Sequence, residues 1–204
     1  HCFASCIKDH HYRCFGRKNA ECRAEWLREC EKTVELLYNH PSIVVWVLFN
    51  EGWGQFDAAK AYEMVKSLDA GRLVDHASGW FDQGCGDFKS IHNYFHPLKI
   101  KKHKYPVVLS EYGGYAYYVK GHSYSMKIYG YRLFFSRKDF IRAYRALEKQ
   151  IHSLVDKGLA AAVYTQLSDV EAEVNGLLTY DREICKLDAQ DEKRDEEKPE
   201  KDEV

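Results

Sequence analysis

NHPSIVVWVLFNEGWG, residues 39–54, contains the strand that decides the fold. Ile43–Phe49 is apolar at every position and does not alternate, which is typical of a parallel strand covered on both faces. Asn50 and Glu51 follow this strand directly. Polar side chains at the end of a buried parallel strand are candidates for a functional site in an α/β protein.

Strand-like and helix-like stretches alternate along the rest of the chain, which predicts an α/β fold with a parallel sheet. We expect helices at residues 19–38, 57–71 and 140–158, and further strands at residues 73–77, 90–94, 105–112 and 160–166. Asp57 is the expected cap of the second helix, because Asp is a favoured residue at helix N-termini. Residues 113–136 are rich in Gly and Tyr and are expected to form a long loop.

An open doubly wound sheet and a closed barrel both contain parallel strands. Neither GxGxxG nor GxxxxGK[ST] follows any of these strands, which removes the main support for a nucleotide-binding sheet. In a barrel, the chemistry occurs at the C-terminal ends of the strands. Residues 50–51, Glu111 and residues 166–169 all fall at such ends. Their positions favour the barrel.

Length and charge set further bounds. The 204 residues carry a formal net charge of −1, so nothing electrostatic indicates nucleic-acid binding. No stretch approaches the roughly 18 apolar residues of a membrane span, and the first residues lack the features of a secretory signal. Residues 188–204 contain nine acidic and four basic residues. We therefore expect one domain at residues 1–187 and a charged, disordered tail at residues 188–204.

The number and spacing of the cysteines indicate the cellular compartment, because disulfides are rare in the cytoplasm. There are seven, and no CxxC pair occurs, which argues against a regular disulfide framework or a zinc ribbon. Five lie in the first thirty residues, where a metal or a disulfide stays an open alternative. Reduced thiols in a cytoplasmic protein are the expected state. The chain begins with His1 rather than Met, so we also expect a preceding segment in the natural protein.

Two carboxylates at strand ends are what glycoside hydrolysis requires. One carboxyl group protonates the leaving oxygen, and the other attacks or stabilises the oxocarbenium-like centre. Glu51 and Glu111 are 60 positions apart, so they lie on different strands. Such residues can still face each other across the mouth of a barrel. Position alone is modest evidence, because a Glu at a strand end is often a solvated rim residue.

Three blocks strengthen the interpretation: NHPSIVVWVLFNEGWG at residues 39–54, SEYGG at 110–114 and QLSDVEAEVNGLLTYDR at 166–182. In this order they closely resemble the barrel domain of glycoside hydrolase family 2, which includes β-galactosidases, β-glucuronidases and β-mannosidases. The resemblance extends over residues 20–185. It implies a retaining β-glycosidase that acts on a terminal sugar by double displacement.

The resemblance also implies residue roles, with the acid/base after strand 4 and the nucleophile on strand 7 of an eight-stranded barrel. Matched by motif, Glu51 is the acid/base and Glu111 is the nucleophile. Asn50 is similar to the family's asparagine that hydrogen-bonds the sugar 2-hydroxyl. Trp53 and Tyr112 are expected beside this pair, as an apolar wall or as a hydrogen-bond donor. The acid/base chemistry needs no cofactor.

His92 lies in IHNYFHP, residues 91–97, which resembles the family's sixth-strand end, where a histidine contacts the sugar. His96 is the alternative candidate. On a helix, the i, i+4 spacing of these two residues would suit a metal pair. Here they lie between a strand and a loop, with Pro97 directly after, so we expect no metal site.

Three tryptophans and an aspartate complete the candidates. Trp53 and Trp80 are expected to stack on a sugar ring, because aromatic faces suit its apolar C–H surface. Trp46 lies inside the first strand, where core packing is the expected role. Asp169 falls in the segment that resembles the family's loop after strand 8. Either a substrate-binding or a structural role is open to it.

Counted back from the acid/base strand, the resemblance implies a partial (β/α)8 TIM barrel, strands 4 to 8 with their helices. Strands 1 to 3 and the two β-sandwich domains of family members are the expected missing partners, and a carbohydrate is the expected substrate. Five strands cannot close a barrel, so two edges would stay unpaired. We therefore expect the isolated chain to self-associate and to be weakly active at best.

Two alternatives stay open. Another retaining barrel family, such as the cellulase-like enzymes, shares the plan of a catalytic Glu on strands 4 and 7. A carbohydrate-binding or structural remnant without turnover is the alternative outside the enzymes. The blocks at residues 39–43 and 169–176 favour family 2 among the enzymes.

Overall fold

The computed structural model describes residues 8–95 and 97–188. Helices and strands alternate over most of this span. The elements are α1 (Ala20–Leu37), β1 (Val45–Val47), α2 (Ala58–Leu68), β2 (Leu73–Asp75), β3 (Lys89–Asn93), β4 (Val107–Gly113), β5 (Tyr115–Tyr117), β6 (Arg132–Phe134), α3 (Arg137–Val155) and β7 (Leu159–Thr165). The predicted helices and strands are confirmed, with bounds that differ by at most three residues at either end.

The strands form three hydrogen-bonded sheets. β1 pairs with β2 in parallel, with Trp46 opposite Val74. β3, β4 and β7 form the second sheet in the order β3-β4-β7. β5 and β6 form a short parallel pair inside the stretch that was expected to be a loop. Each of these two strands has only three residues, which is too short for a period-2 pattern to be visible.

The helix starts use two different caps. The side chain of Asn19 accepts hydrogen bonds from the backbone of Glu21 and Cys22, as expected for an N-cap asparagine. Asp57 precedes α2 in a left-handed conformation, and its side chain makes no capping bond. Asp9 takes that role instead, since its Oδ2 accepts the Ala58 backbone N–H at 2.8 Å. The expectation that Asp57 caps α2 with its own side chain was therefore wrong.

The described residues form two compact units. The first contains residues 8–93, 98–111 and 154–162, and the second contains residues 94–95, 97, 112–153 and 163–188. The first unit has an apolar cluster between α1, α2 and the first sheet, built around Val34, Trp46, Val65 and Val74. Trp46 is 8% exposed, which confirms its expected core role.

A polar anchor holds this cluster. The Trp46 indole N–H donates to Asp69 at 3.0 Å, and the Arg72 guanidinium contacts the same Asp69 oxygen at 2.6 Å. Burial alone would raise the pKa of Asp69, but the hydrogen bonds from Arg72 and Trp46 lower it to about 2. The charged carboxylate therefore ties the end of α2 to β1.

The second unit is built around aromatic side chains. Phe140 of α3 is fully buried and lies against Tyr117 and Phe134. Tyr164 contacts Tyr112 and Tyr144 edge to face, at 5.7 and 5.1 Å between ring centroids. Such edge-to-face contacts are favourable because the positive ring edge meets the negative ring face.

Three expectations can be compared with the structure only within the described residues. No helix within residues 8–95 and 97–188 is long and apolar enough to cross a membrane. The tail expected at residues 188–204 lies outside the described residues apart from Asp188, as does the alternative candidate His96. Of the cysteines, five are described, and these are free thiols: Cys14, Cys22, Cys30, Cys85 and Cys185.

Candidate active site

Glu51 stands just past the end of β1 in a strained conformation. Its φ is 52°, in the left-handed region that non-glycine residues rarely adopt, and Gly52 follows with φ 78°. The Glu51 backbone N–H donates to the Ser78 carbonyl at 3.0 Å. This bond to the neighbouring strand end stabilises the turn. Backbone strain of this kind is frequent at functional sites.

The turn after Glu51 is also held by residues 8–18. The Arg17 Nε donates to the Gly54 carbonyl at 2.6 Å, and the Phe15 ring lies edge to face against Phe81. A Cβ at Gly52 would lie 2.2 Å from the Phe81 ring, so only glycine fits there. Sequence reasoning did not foresee this support, because it depends on contacts between residues far apart in the chain.

Glu111 lies near the end of β4, and its side chain is 31% exposed. His92, on β3, stands between Glu111 and Glu51. The His92 Nδ1 is 2.8 Å from Glu51 Oε1 and 3.2 Å from Glu111 Oε2. The structure therefore brings together both glutamates that were expected to be catalytic.

The two carboxyl groups are close to each other. One oxygen of Glu51 and one of Glu111 lie within 4.8 Å of each other, and His92 Nδ1 lies within the same distance of both. The His92 ring is 3% exposed and packs on Gly79, where a Cβ would come 2.4 Å from the ring. His92 was expected to contact the sugar. In the structure its Nδ1 contacts both glutamates, and the contact with the sugar stays a prediction.

The proton of His92 can be assigned from its surroundings. An ionised carboxylate only accepts hydrogen bonds, so the Nδ1 that contacts both carboxyl groups is best placed to donate. Within the described part of the chain, His92 Nε2 is buried without a hydrogen-bond partner. The tautomer with its proton on Nδ1 therefore fits best.

Glu51, His92 and Glu111 have side chains of the types that also bind metals. Metal–nitrogen and metal–oxygen bonds are about 2.0–2.2 Å long for zinc. Here the imidazole nitrogen that would bind an ion lies at hydrogen-bond distance from both carboxylates. A hydrogen bond from His92 shared by the two carboxylates accounts for these distances.

Asn50 lies beside Glu51 and is exposed, whereas its partner Ser78 is 3% exposed. Ser78 follows β2, and its hydroxyl donates to Asn50 Oδ1 at 2.7 Å. The two residues also form a parallel backbone bridge. Ser78 was not predicted as a site residue; it precedes Gly79 and Trp80 between two predicted strands.

A buried polar layer lies on the strands next to the site. Ser90 and Ser110 share a hydrogen bond between β3 and β4, and the Gly79 N–H donates to Ser90. Asp75 on β2 is 1% exposed, and burial raises the pKa of its carboxyl group. Single serines and aspartates of this kind have no distinct sequence signal, so the layer was not predicted.

The expected aromatic residues differ in exposure. Trp53 is 78% exposed and Trp80 is 36% exposed, and they follow the bridged residues Asn50 and Ser78 in adjacent turns. Both are therefore accessible for stacking. Tyr112 is 4% exposed, and its hydroxyl donates to Glu148 at 2.7 Å. Burial, together with Glu148, raises the pKa of Tyr112, so its hydroxyl is already engaged.

Asp169 is buried at 3% exposure in the second unit. Its Oδ1 accepts a bond from the ammonium group of Lys186 at 2.6 Å and from the Gly176 N–H at 2.9 Å. Of the two roles left open by the sequence, these contacts support the structural one. Lys186 was not foreseen, because a lysine seldom lies fully buried.

A domain with parallel strand pairing and carboxylates at strand ends has the features of the TIM barrel class. The family model "Glycosyl hydrolases family 2, TIM barrel domain" matches residues 7–194. The chain therefore belongs to glycosyl hydrolases family 2, which confirms the resemblance found in the sequence.

Individual relatives agree with this assignment. The chain is 33% identical over 101 residues to a β-galactosidase of Priestia megaterium, covering 44% of this chain and 10% of the relative. Its fold is similar to that of a β-D-glucuronidase of Dictyoglomus thermophilum, with a TM-score of 0.61 and 15% identity over 90% of this chain and 37% of the other.

A third relative carries a covalent ligand. The structure of Bacteroides uniformis β-glucuronidase 2, covalently bound to cyclophellitol-6-carboxylate aziridine, gives a TM-score of 0.53 at 15% identity. The match covers 81% of this chain and 25% of that one. The chain thus spans about a tenth of the curated relative and between 25% and 37% of these two similar structures.

Proposed function

We propose that this chain carries the catalytic carboxylates of a retaining β-glycosidase, with Glu51 as acid/base and Glu111 as nucleophile. The observation that carries the proposal is the close approach of the two carboxyl groups: His92 Nδ1 contacts both, and one oxygen of each lies within 4.8 Å of the other. Retaining glycosidases have carboxyl groups about 5–5.5 Å apart, whereas inverting enzymes separate them by about 6.5–9.5 Å to admit a water. The short distance supports the retaining mechanism.

In the first half of the reaction, Glu111 attacks the anomeric carbon and forms a glycosyl–enzyme ester, while Glu51 gives its proton to the leaving oxygen. In the second half, Glu51 takes a proton from a water that attacks the same carbon, and Glu111 leaves as a carboxylate. The Nδ1–H of His92 can donate to whichever glutamate is ionised. Atoms and charge balance over the two steps without a cofactor.

The surroundings of the pair support binding of a sugar. Asn50 offers an amide next to the acid/base, and Trp53 and Trp80 offer exposed aromatic faces on adjacent turns. Sugar rings stack on such faces through their C–H surfaces. We propose that these residues bind the terminal sugar and its leaving group. The relatives act on galactosides and glucuronides by name, so both sugars are candidates.

We further propose that β1, β2, β3, β4 and β7 correspond to strands 4 to 8 of the family's barrel. The order of the five strands along the chain and the positions of both glutamates support this correspondence. The remaining strands and the β-sandwich domains would then be partners from elsewhere in the polypeptide. The small share of each relative that this chain covers is consistent with such partners.

We propose a cytoplasmic location as well. The five described cysteines are free thiols, three of them exposed, which suits a reducing compartment. Thiol labelling in intact cells followed by mass spectrometry would test the proposal, because disulfide-bonded cysteines would escape the label.

Covalent labelling tests the nucleophile. The full-length gene product is treated with cyclophellitol aziridines of galactose and glucuronic acid configuration, and the labelled peptide is mapped by mass spectrometry. We expect the label on Glu111 and none in the Glu111→Gln variant. Glu63→Gln is the matched control, because Glu63 is an exposed carboxylate on α2. A label on another residue would overturn the nucleophile assignment.

Leaving-group dependence tests the acid. A panel of aryl β-galactosides, glucuronides, mannosides and glucosides identifies the sugar first. Glu51→Gln should then slow substrates with poor leaving groups by roughly 10²–10⁴-fold, and should slow activated aryl glycosides much less, because a good leaving group needs little protonation. Equal losses for both kinds of substrate would contradict the acid role of Glu51.

A further inference from the structure

The second unit contains a cavity of about 560 Å³ between α3 and the strand pair β5 and β6. On the helix side it is lined by Asp139, Arg142, Ala143, Ala146 and Gln150. Their spacing places these residues on one face of α3. Because two of them are alanines, this face leaves room in front of the strands. The volume is in the usual range of ligand-binding cavities, about 300–1,000 Å³.

Arg132 and two aromatic rings line the strand side of the cavity. Arg132 is opposite Tyr115 in the register of β5 and β6, and Phe134 follows on β6. The guanidinium carbon of Arg132 lies 5.4 Å from the centroid of the Tyr115 ring and 4.9 Å from that of Phe134. A guanidinium group is planar, and contact with aromatic faces favours one orientation of it. The two rings therefore position Arg132 before a ligand binds.

The positive charge of Arg132 is not balanced by a neighbouring carboxylate. The one acidic residue of the lining, Asp139, pairs with Arg142 on the same helix. Within residues 8–95 and 97–188, the Arg132 side chain takes part in no ion pair and no hydrogen bond. The cavity thus presents one uncompensated positive charge, on a planar group of N–H donors whose geometry matches a carboxylate.

We propose that this cavity is a binding site for a saccharide that bears a carboxylate, such as a chain of uronic acid residues. The Arg132 guanidinium binds the carboxylate through two parallel hydrogen bonds. The Tyr115 and Phe134 rings contact the C–H surface of the sugar, and Asp139 and Gln150 accept hydrogen bonds from its hydroxyl groups. None of these residues belongs to the candidate active site, so the proposal does not depend on the glycosidase function.

Calorimetry on the full-length gene product tests the site. The probe is α-linked trigalacturonate, a carboxylated saccharide whose linkage a β-glycosidase does not cleave. Arg132→Gln should weaken its binding roughly ten- to hundredfold, the effect of losing hydrogen bonds to a charged group. Arg132→Lys keeps the charge without the planar fork and should give an intermediate affinity. Arg145→Gln is the matched control, because Arg145 is exposed on α3 outside the cavity lining, and its affinity should equal that of wild type.

Two further probes and one further variant define the ligand. Maltotriose is an α-linked trisaccharide without charge, and it should bind at least about tenfold more weakly than trigalacturonate. Acetate carries the carboxylate without a sugar ring and should not displace trigalacturonate at an equal concentration of carboxylate. Ala143→Leu keeps a strong helix former and fills the cavity, so it should also weaken binding. This variant decides the test if the Arg132 variants do not fold.

Each outcome bears on the proposal. Weaker binding in Arg132→Gln and Ala143→Leu, with wild-type affinity in Arg145→Gln, supports it. No binding of trigalacturonate to wild type, or unchanged binding in the two cavity variants, overturns it. Equal binding of maltotriose overturns the role of the carboxylate, and equal competition by acetate overturns the saccharide. Arg132→Gln should keep the wild-type kcat/KM on aryl β-glycosides, and a parallel loss would overturn a site separate from catalysis.

Discussion

Replacing Lys186 should lower the free energy of unfolding of the second unit, because it leaves the Asp169 carboxylate in the interior without its partner. Lys186 is fully buried, and its ammonium group contacts Asp169 at 2.6 Å and the Val174 carbonyl at 3.0 Å. In Lys186→Met, Asp169 keeps the bond from the Gly176 N–H and loses its counter-charge. The side chain that replaces the lysine is of similar length and apolar.

The expected loss is large. Removing one partner of a buried ion pair typically costs about 3–5 kcal/mol, because the remaining charge is uncompensated. Stabilities of single domains are about 5–15 kcal/mol, so the loss is a substantial fraction of the total. In Lys186→Met/Asp169→Asn the charge is gone and the acceptor for Gly176 remains. The double variant should therefore recover at least about 2 kcal/mol of the loss.

The loss should also depend on pH. Burial raises the pKa of Asp169 even beside Lys186, and removing the ammonium group removes the main influence that lowers it. A carboxyl group with a raised pKa in the folded state favours folding below its unfolded pKa. This contribution is lost as the pH rises through the folded pKa. The destabilisation of Lys186→Met should therefore be smaller at pH 5 than at pH 8.

Urea unfolding followed by circular dichroism at both pH values measures these effects. Lys138→Met is the matched control, because Lys138 is exposed on α3, and it should change the free energy of unfolding by less than about 0.5 kcal/mol. A loss below about 1 kcal/mol for Lys186→Met would refute the reasoning. So would a double variant that is no more stable than the single one.

Three further predictions concern His92, Asp69 and the self-association of the chain. His92→Leu removes the donor shared by the two glutamates and should lower kcat on aryl glycosides roughly 100-fold with an unchanged thermal midpoint; a loss below threefold would contradict the shared bond. Burial raises the pKa of Asp69, but hydrogen bonds outweigh it and lower the pKa to about 2. The ionised Asp69 carboxylate should therefore stabilise the fold above pH 4, and this stabilisation should fade towards pH 2. Urea unfolding midpoints measured over that pH range should change less with pH in Asp69→Asn than in wild type. Residues 1–204 alone should self-associate, because Val44, Val47 and Val163 are more than half exposed, and light scattering that finds only monomer would contradict this.

Local patterns predicted the regular elements well. The asparagine before α1 caps it through its side chain, and Trp46 is buried inside the first strand, where core packing was expected. These signals are local, because capping and amphipathic periodicity involve residues within one or two helical turns. The family also followed from contiguous blocks, and the match over residues 7–194 confirmed it.

Predictions failed where the partner was distant in sequence. Asp57 has the residue type of a helix cap, but Asp9 makes the capping bond across 49 positions. β5 and β6 formed in a stretch expected to be a loop, because their pairing depends on each other rather than on a pattern within either. No local signal distinguishes such cases, since the energy comes from contacts between separate segments.

By itself, the sequence determined the fold class and the family and singled out Glu51 and Glu111 as candidates, because each of these rests on contiguous motifs. Only the tertiary structure decided what the neighbouring residues do. It placed the His92 nitrogen against both glutamates, the Ser78 hydroxyl against the Asn50 side chain, and Asp169 against the buried Lys186. Hydrogen-bond partners depend on distances of a few tenths of an ångström between side chains from different strands, and such distances exist only once the chain is folded.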